Sequence, residues 1–342
     1  MNPASLSSPC SCRLRYAPQP AKIRRHACPL AACLCVLCAL LLPRLAAGQQ
    51  IGGPRSEGGQ PFDGQQAYEH LQQICKLGPR TSGSPGMQAQ QQMVREHFAA
   101  LGGKVGFQEF RIRHPVTGRR VTLANCIVQW HPEKKKRILL CAHYDTRPYP
   151  DQDPNPRLRR SGTFLGANDG ASGVALLMEL GRAMPQLESE YGIDFVLFDG
   201  EEFVFRPGDR YFLGSDWFAR QYVADPPQHR YVCGILLDMV GDADLQIFQE
   251  KHSVSWRDTK PLVDDLWATA ARLGIEEFVP RVKHEVNDDH LPLRNTAKIP
   301  TCNIIDFDYP HWHTTADTPD KCSAASLEKV GRVLLYWLQH AR

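Results

Sequence analysis

At 342 residues, 42% of them apolar and 23% charged, the chain is long enough for one large domain with a leader and can bury a sizeable core. Its formal charge of +3 belongs to residues 1–48, where Arg13, Arg15, Lys22, Arg24, Arg25 and Arg44 stand without an acid, so the remainder carries −3. A mildly acidic body lacks the basic footprint of nucleic-acid binding and excludes that class of partner.

Residues 1–48 read as a signal peptide. Basic residues run up to Arg25, an apolar stretch follows from Ala27 to Leu42, and the small residues of Leu45-Ala46-Ala47-Gly48 precede Gln49 as a cleavage site requires. The apolar core is short for a spanning helix, which argues against an uncleaved anchor and leaves no membrane span after cleavage. The mature protein is therefore expected in a periplasm or outside the cell. Half of the 12 cysteines lie in the leader; Cys75, Cys126, Cys141, Cys233, Cys302 and Cys322 are scattered, several within apolar runs, as buried small hydrophobes are.

Residues 49–64, rich in Gly and Gln, are expected to form a flexible arm before a single domain over 65–342. Apolar spacing predicts helices over 67–75, with Leu71 and Ile74 on one face, and over 87–101, with Met93, Val94, Phe98 and Leu101. The second stops at Gly102-Gly103. Strands are predicted over 105–112 and 121–130, joined through Pro115-Val116-Thr117-Gly118, before a parallel core begins at Arg137. Residues 147–162 carry Pro148, Pro150, Pro154 and Pro156 and predict a long irregular loop, either functional or a plain surface excursion. Further helices are predicted over 215–222, 260–273 and 325–339.

Within this frame one pattern recurs: an apolar run ending on a carboxylate or histidine. Arg137-Ile138-Leu139-Leu140-Cys141-Ala142 leads to His143, and Phe195-Val196-Leu197-Phe198-Asp199-Gly200 leads to Glu201-Glu202. Tyr231-Val232-Cys233-Gly234-Ile235-Leu236-Leu237 leads to Asp238, and Ile299-Pro300-Thr301-Cys302-Asn303-Ile304-Ile305 leads towards Trp312-His313. In an α/β sheet the loops beyond the strands' carboxyl ends gather at one edge, where ligands bind. Asp169 joins them from the glycine-rich turn Gly166-Ala167-Asn168-Asp169-Gly170, which opens a helix carrying Val174, Leu177, Met178 and Met184. Taken singly, Asp169 or Asp288 is a helix cap, His143 a core histidine and Glu201 a solvated acid. Together they would repel one another unless a cation neutralised them. Asp, Glu and His without thiolates form a zinc-like ligand set of the catalytic, open kind.

These motifs, His143-Tyr144-Asp145, Gly166-Ala167-Asn168-Asp169, Asp199-Gly200-Glu201-Glu202, Leu237-Asp238 and Trp312-His313-Thr314, resemble those of the zinc-dependent aminopeptidase-like α/β proteins. Within that group the chain is most similar to the animal-type glutaminyl cyclases and their bacterial relatives, through Asn287-Asp288-Asp289-His290, Trp312 before the histidine, and the loop from Asp145-Thr146-Arg147-Pro148 to Asp169. The resemblance implies an α/β fold with a mixed, mostly parallel sheet flanked by helices. It implies one zinc ion on Asp169, Glu202 and His313, Glu201 as general acid/base with Asp238 and Asp288 as hydrogen-bonded partners, and Trp312 as an oxyanion donor. The implied reaction converts an N-terminal glutamine of a peptide or protein to pyroglutamate with loss of ammonia. Two positions depart from the animal pattern: Phe203-Val204-Phe205 follows Glu202 where those enzymes carry a tryptophan, and Ala142 stands where they carry a cysteine. The alternative is a dinuclear aminopeptidase, with His143 and Asp238 holding a second zinc, Asp169 bridging, and Glu201 activating water. A metal-free binding module would show broken ligand motifs, and these are intact.

Overall fold

The structure, a computed structural model, describes residues 61–342, so the expected signal peptide and the arm up to residue 60 lie outside the described residues. The remaining arm residues belong to the folded body. Phe62 is buried in the main core, and the Asp63 side chain accepts a hydrogen bond from the Gln66 N–H to cap helix α1, Gly64–Lys76. Ser84 caps α2, Pro85–Ala100, with Pro85 in the first turn. Both helices begin ahead of their apolar periodicity because the caps, rather than the core contacts, set their starts.

Strands β1, Lys104–Arg113, and β2, Arg120–Trp130, form the expected hairpin, closed by residues 114–119. Then follow β3, Lys136–His143; α3, Ala171–Gly181; β4, Gly192–Phe198; α4, Leu213–Ala224; and β5, Arg230–Asp238. The C-terminal part contains β6, Ile247–Gln249; α5, Lys251–Ser255; α6, Lys260–Arg272; β7, Phe278–Val282; α7, His290–Asn295; β8, Thr301–Ile305; and α8, Ala324–His340. Met184, predicted on the helix after Asp169, instead lies buried in a short 3-10 turn beyond the end of α3 at Gly181. The β6/β7 pair was not predicted: β6 is too short to show alternation, and Pro280 interrupts β7.

The main sheet runs β1-β2-β4-β3-β5-β8, antiparallel through β2 and β4 and parallel from β4 to β8. Its parallel strands are apolar throughout because both faces are covered. Ile138, Leu140, Ala142, Ile193, Phe195 and Leu197 join the core beneath α1, α2, α3, α6 and α8. The alternating residues Leu139, Cys141, Val196 and Phe198 meet Phe218 and Ala219 of α4 and Leu293 of α7. The cysteines Cys75, Cys126, Cys141, Cys302 and Cys322 are buried free thiols and Cys233 is half-buried. Among the described residues no helix is long and apolar enough to cross a membrane.

At the end of the sheet away from the motif residues, one buried ion pair and its hydrogen bonds tie four strands together. Arg137 is fully buried; its Nη2 lies 2.6 Å from Asp194 Oδ1, and the same guanidinium donates to the carbonyls of Trp130, His131 and Ile193. Tyr231 donates its hydroxyl to Asp194 Oδ2 at 2.6 Å. Because breaking such a pair leaves a buried charge alone, Asp194→Ala is expected to cost about 3–5 kcal/mol in urea unfolding. A loss below ~1 kcal/mol would show that the pair does not lock these strands.

Candidate active site

The parallel strands place the chemistry at their carboxyl ends. His143 ends β3 and Asp238 ends β5, while Glu201 and Glu202 follow β4 after Asp199-Gly200. At Gly200, φ is 78° and at Gly170 it is 94°, left-handed conformations that favour glycine and turn the chain sharply beside Glu201 and Asp169. A Cβ on Gly170 would also lie 2.8 Å from the Asp145 carbonyl oxygen, so side chains are excluded there on two counts. His313, in the loop after β8, itself adopts φ 55°, a strained conformation of the kind that functional sites retain.

The side chains converge closely. His143 Nε2 lies 3.1 Å from Asp169 Oδ1 and 3.2 Å from Asp238 Oδ1; His313 Nε2 lies 2.6 Å from Glu202 Oε1 and 3.5 Å from Asp169 Oδ2. One ligand-type atom from each of His143, Asp169 and Glu202 lies within 4.8 Å of the others. All of these residues except the partly exposed Asp238 are buried, and Asp169 Oδ2 has no hydrogen-bond partner. Such an orphaned oxygen, within an oxygen and imidazole donor set lacking thiolate, fits a divalent zinc ion.

The electrostatics show the same crowding. Burial, then the charge of Glu202, pushes Asp169 up to about 6 and Glu201 well above the carboxylate range. Burial opposes ionisation of Glu202 as well, yet His313 and Arg147 hold it down to about 2. Burial likewise opposes the charged imidazoles, but Glu202 carries His313 up to about 9, and the carboxylates of Asp145, Asp169 and Asp238 carry His143 well above its ordinary value. The two adjacent glutamates thus sit in opposite environments. The Glu201 side chain has no hydrogen-bond partner among the described residues, whereas Glu202 is gripped by His313 and Arg147.

The expected residues His143, Asp169, Glu201, Glu202, Asp238 and His313 are brought together. Asp288 stands beside them with its carboxyl raised well above the usual range by burial and then by Asp238. Its hydrogen bonds differ from those expected: Oδ2 accepts from Asn303 Nδ2 at 2.7 Å and Oδ1 from the Asp289 N–H at 2.6 Å, while Asp238 pairs with His143. Asp288 is therefore linked to Glu201 and to Asp238 through charge alone. Half-buried Trp312 stacks on the His313 ring, with centroids 3.8 Å apart, and its indole N–H has no acceptor among the described residues.

Several supporting residues escaped the sequence reading. Asp145 accepts the backbone N–H groups of Glu201 and Glu202, both at 3.1 Å, and fixes the glutamate pair; it was visible in the His143-Tyr144-Asp145 motif but carried no assigned role. Asp317 does the same for Asn168 and Asp169, at 2.8 and 3.1 Å. It lies just after Trp312-His313-Thr314, in a stretch with no periodicity to mark it. The proline-rich loop is tied to the site rather than idle: Arg147 Nη1 lies 3.4 Å from Glu202 Oε1, Asp151 Oδ1 lies 3.0 Å from His313 Nδ1, and Asp153 holds Thr315.

A mixed sheet that gathers buried carboxylates and imidazoles beyond its parallel strands, tied down by acidic residues bonded to the turns beneath them, is the arrangement of a zinc exopeptidase-like metalloenzyme. The chain belongs to peptidase family M28, whose sequence profile matches residues 125–338. Within that family its likeness is to the glutaminyl cyclases. The crystal structure of the Fimbriiglobus ruber glutaminyl cyclase is 39% identical with a TM-score of 0.79, the alignment covering 84% of this chain and 98% of that one. The glutaminyl-peptide cyclotransferase of Gloydius blomhoffii is 24% identical over 288 residues, 75% of either chain. A Zn-dependent exopeptidase from Parabacteroides distasonis superposes with a TM-score of 0.76 at 30% identity, over 83% of this chain and 99% of that one.

Removing the support beneath the glutamates tests this construction. Asp145→Ala is expected to weaken binding of added zinc about tenfold to a hundredfold in competition with a chelating dye. Unchanged affinity would show that Asp145 does not position the site.

Proposed function

We propose that this chain catalyses cyclisation of N-terminal glutaminyl residues of peptides and proteins to pyroglutamate, releasing ammonia. The observation that carries the reading is the pairing of unlike glutamates: Glu202 anchored by His313 and Arg147, Glu201 buried with its carboxylate free of any hydrogen-bond partner among the described residues. Likeness over nearly the full length of a bacterial glutaminyl cyclase supplies the substrate.

Asp169, Glu202 and His313 would hold a single zinc ion. When bound, that ion supplies Lewis-acid polarisation of the side-chain amide carbonyl of the substrate glutamine. Glu201 accepts a proton from the α-amine as its nitrogen attacks the amide carbon, and returns one to the departing nitrogen, which leaves as ammonia. Nucleophile and electrophile belong to the same residue, so the protein's main task is to orient them and exclude water. The free indole N–H of Trp312 is suited to the developing oxyanion, and burial, with the charge of neighbouring Asp288 among its causes, raises the Glu201 carboxyl and makes it a stronger base.

One feature favours a second reading: Asp169 turns one oxygen to His143 and the other to His313, as a carboxylate bridging two metals does. In that case His143 and Asp238 would hold a second zinc and the chain would be an aminopeptidase. Zinc analysis of purified protein, paired with mass spectrometry of a Gln-initiated peptide, separates the two. About one zinc and loss of ammonia is expected from a cyclase site with three zinc ligands; two zincs and release of the first residue would overturn it in favour of hydrolysis.

Glu201→Gln is expected to keep zinc and fold while losing nearly all turnover, and retained activity would remove Glu201 from the proton transfer. Glu202→Gln and His313→Ala are each expected to lower bound zinc, and full metal content in both would exclude this ligand set. Trp312→Phe is expected to slow turnover about tenfold to a thousandfold, the loss of one oxyanion donor; an unchanged rate would leave it a packing residue.

Residues 1–48, read as a cleaved signal, would direct the folded enzyme to a periplasm or out of the cell. N-terminal mass analysis of exported protein is expected to begin near Gln49, and an intact Met1 would overturn that assignment.

A further inference from the structure

Beside the ligand cluster lies a groove of about 430 Å³, a size suited to a short stretch of peptide, whose lining includes Arg147, Tyr149, Asp151, Arg159, Arg160 and Arg206. It is continuous with the site, because Arg147 pairs with Glu202 and Asp151 Oδ1 lies 3.0 Å from His313 Nδ1. Its charge is unevenly compensated. Arg147 is engaged by Glu202 and Asp151, and Arg206 pairs with Asp209. Exposed Arg159 donates only to the Asp153 carbonyl oxygen, and neither it nor exposed Arg160 forms an ion pair among the described residues. Asp151 is the sole acid in the lining. The Tyr149 and Phe205 rings, 6.1 Å apart, and Tyr211 beneath Arg147 add apolar walls that strengthen the field of the uncompensated cations.

We propose that this groove receives the segment of substrate that follows the N-terminal glutamine, and that Arg159 and Arg160 select acidic side chains there. The inference rests on the cyclase reading. A substrate whose first residue is held at Glu201 has its next residues directed towards the wall shared by Arg147 and Asp151. Carboxylates there meet two arginines that form no ion pair among the described residues, whereas lysines meet like charge.

The test compares kcat/KM for three Gln-initiated peptides of equal length bearing Asp, Ala or Lys at the second and third positions. The Asp peptide is expected to exceed the Ala peptide about threefold to tenfold and the Lys peptide to fall below it, the spread narrowing as salt is raised. Arg159→Glu combined with Arg160→Glu is expected to reverse the order of the Asp and Lys peptides, a ratio taken within one protein and so independent of its overall activity. Equal kcat/KM for the Asp and Lys peptides, or a preference that survives the double substitution, would overturn the inference while leaving cyclisation standing. No ammonia release from any of the three would sink the cyclase reading, and this inference with it.

Discussion

Negative charge concentrated beyond β3, β4 and β5 is what the surrounding structure has to contain. Asp169, Glu201, Glu202, Asp238 and Asp288 face a shared buried space, where like charges interact strongly because little water screens them. The containment has two layers. Asp145 and Asp317 lie beneath the reacting groups and accept backbone N–H bonds, so their carboxylates brace the turns carrying Glu201, Glu202 and Asp169. Above them, Arg147 and the two imidazoles bring positive charge to Glu202, Asp169 and Asp238. A divalent ion at this point would relieve the repulsion that remains, and the rigid turns would fix its ligands before it arrives.

Topology makes the space available. β3 is followed by β4 on one side and then by β5 on the other, so the chain reverses direction across the sheet at β3. Loops leaving β3 and β5 diverge there and open a crevice, the usual ligand site of an open α/β sheet. The strained backbone belongs to the same place: Met239, just after β5, has φ 46° and His313 has φ 55°, conformations maintained by the packing around them.

Much of this was legible in the sequence for a physical reason. Parallel strands buried on both faces must be continuous apolar runs, so a His or carboxylate at the end of such a run stands out; that contrast identified His143, Glu201, Glu202 and Asp238 before any coordinates. Asp145 and Asp317 were not identifiable in this way, because what they do depends on N–H groups more than fifty residues away in the chain. Helix starts at Gly64 and Pro85 were missed for a related reason: Asp63 and Ser84 act through a single side-chain bond, which leaves no periodic trace. The role of residues 147–162 stayed open because proline content predicts irregular backbone without saying what that backbone touches.

The position of His143 connects the containment of charge to the choice of chemistry. With a proton on Nε2, its ring reaches both Asp169 Oδ1 and Asp238 Oδ1, standing between two carboxylates that a dinuclear peptidase joins through metal. Although burial opposes it, the carboxylates around that ring raise its pKa and so offset part of their own charge. Under the cyclase reading Asp238 would be a partner of His143 rather than a ligand, beside an Asp288 carboxyl raised by burial and then by the charge of Asp238. Under the proposed reading one scaffold can serve either reaction: hydrolysis needs a water admitted and activated at the metal, whereas cyclisation brings its own nucleophile and needs the pocket kept dry, oriented and supplied with a single mobile proton on Glu201.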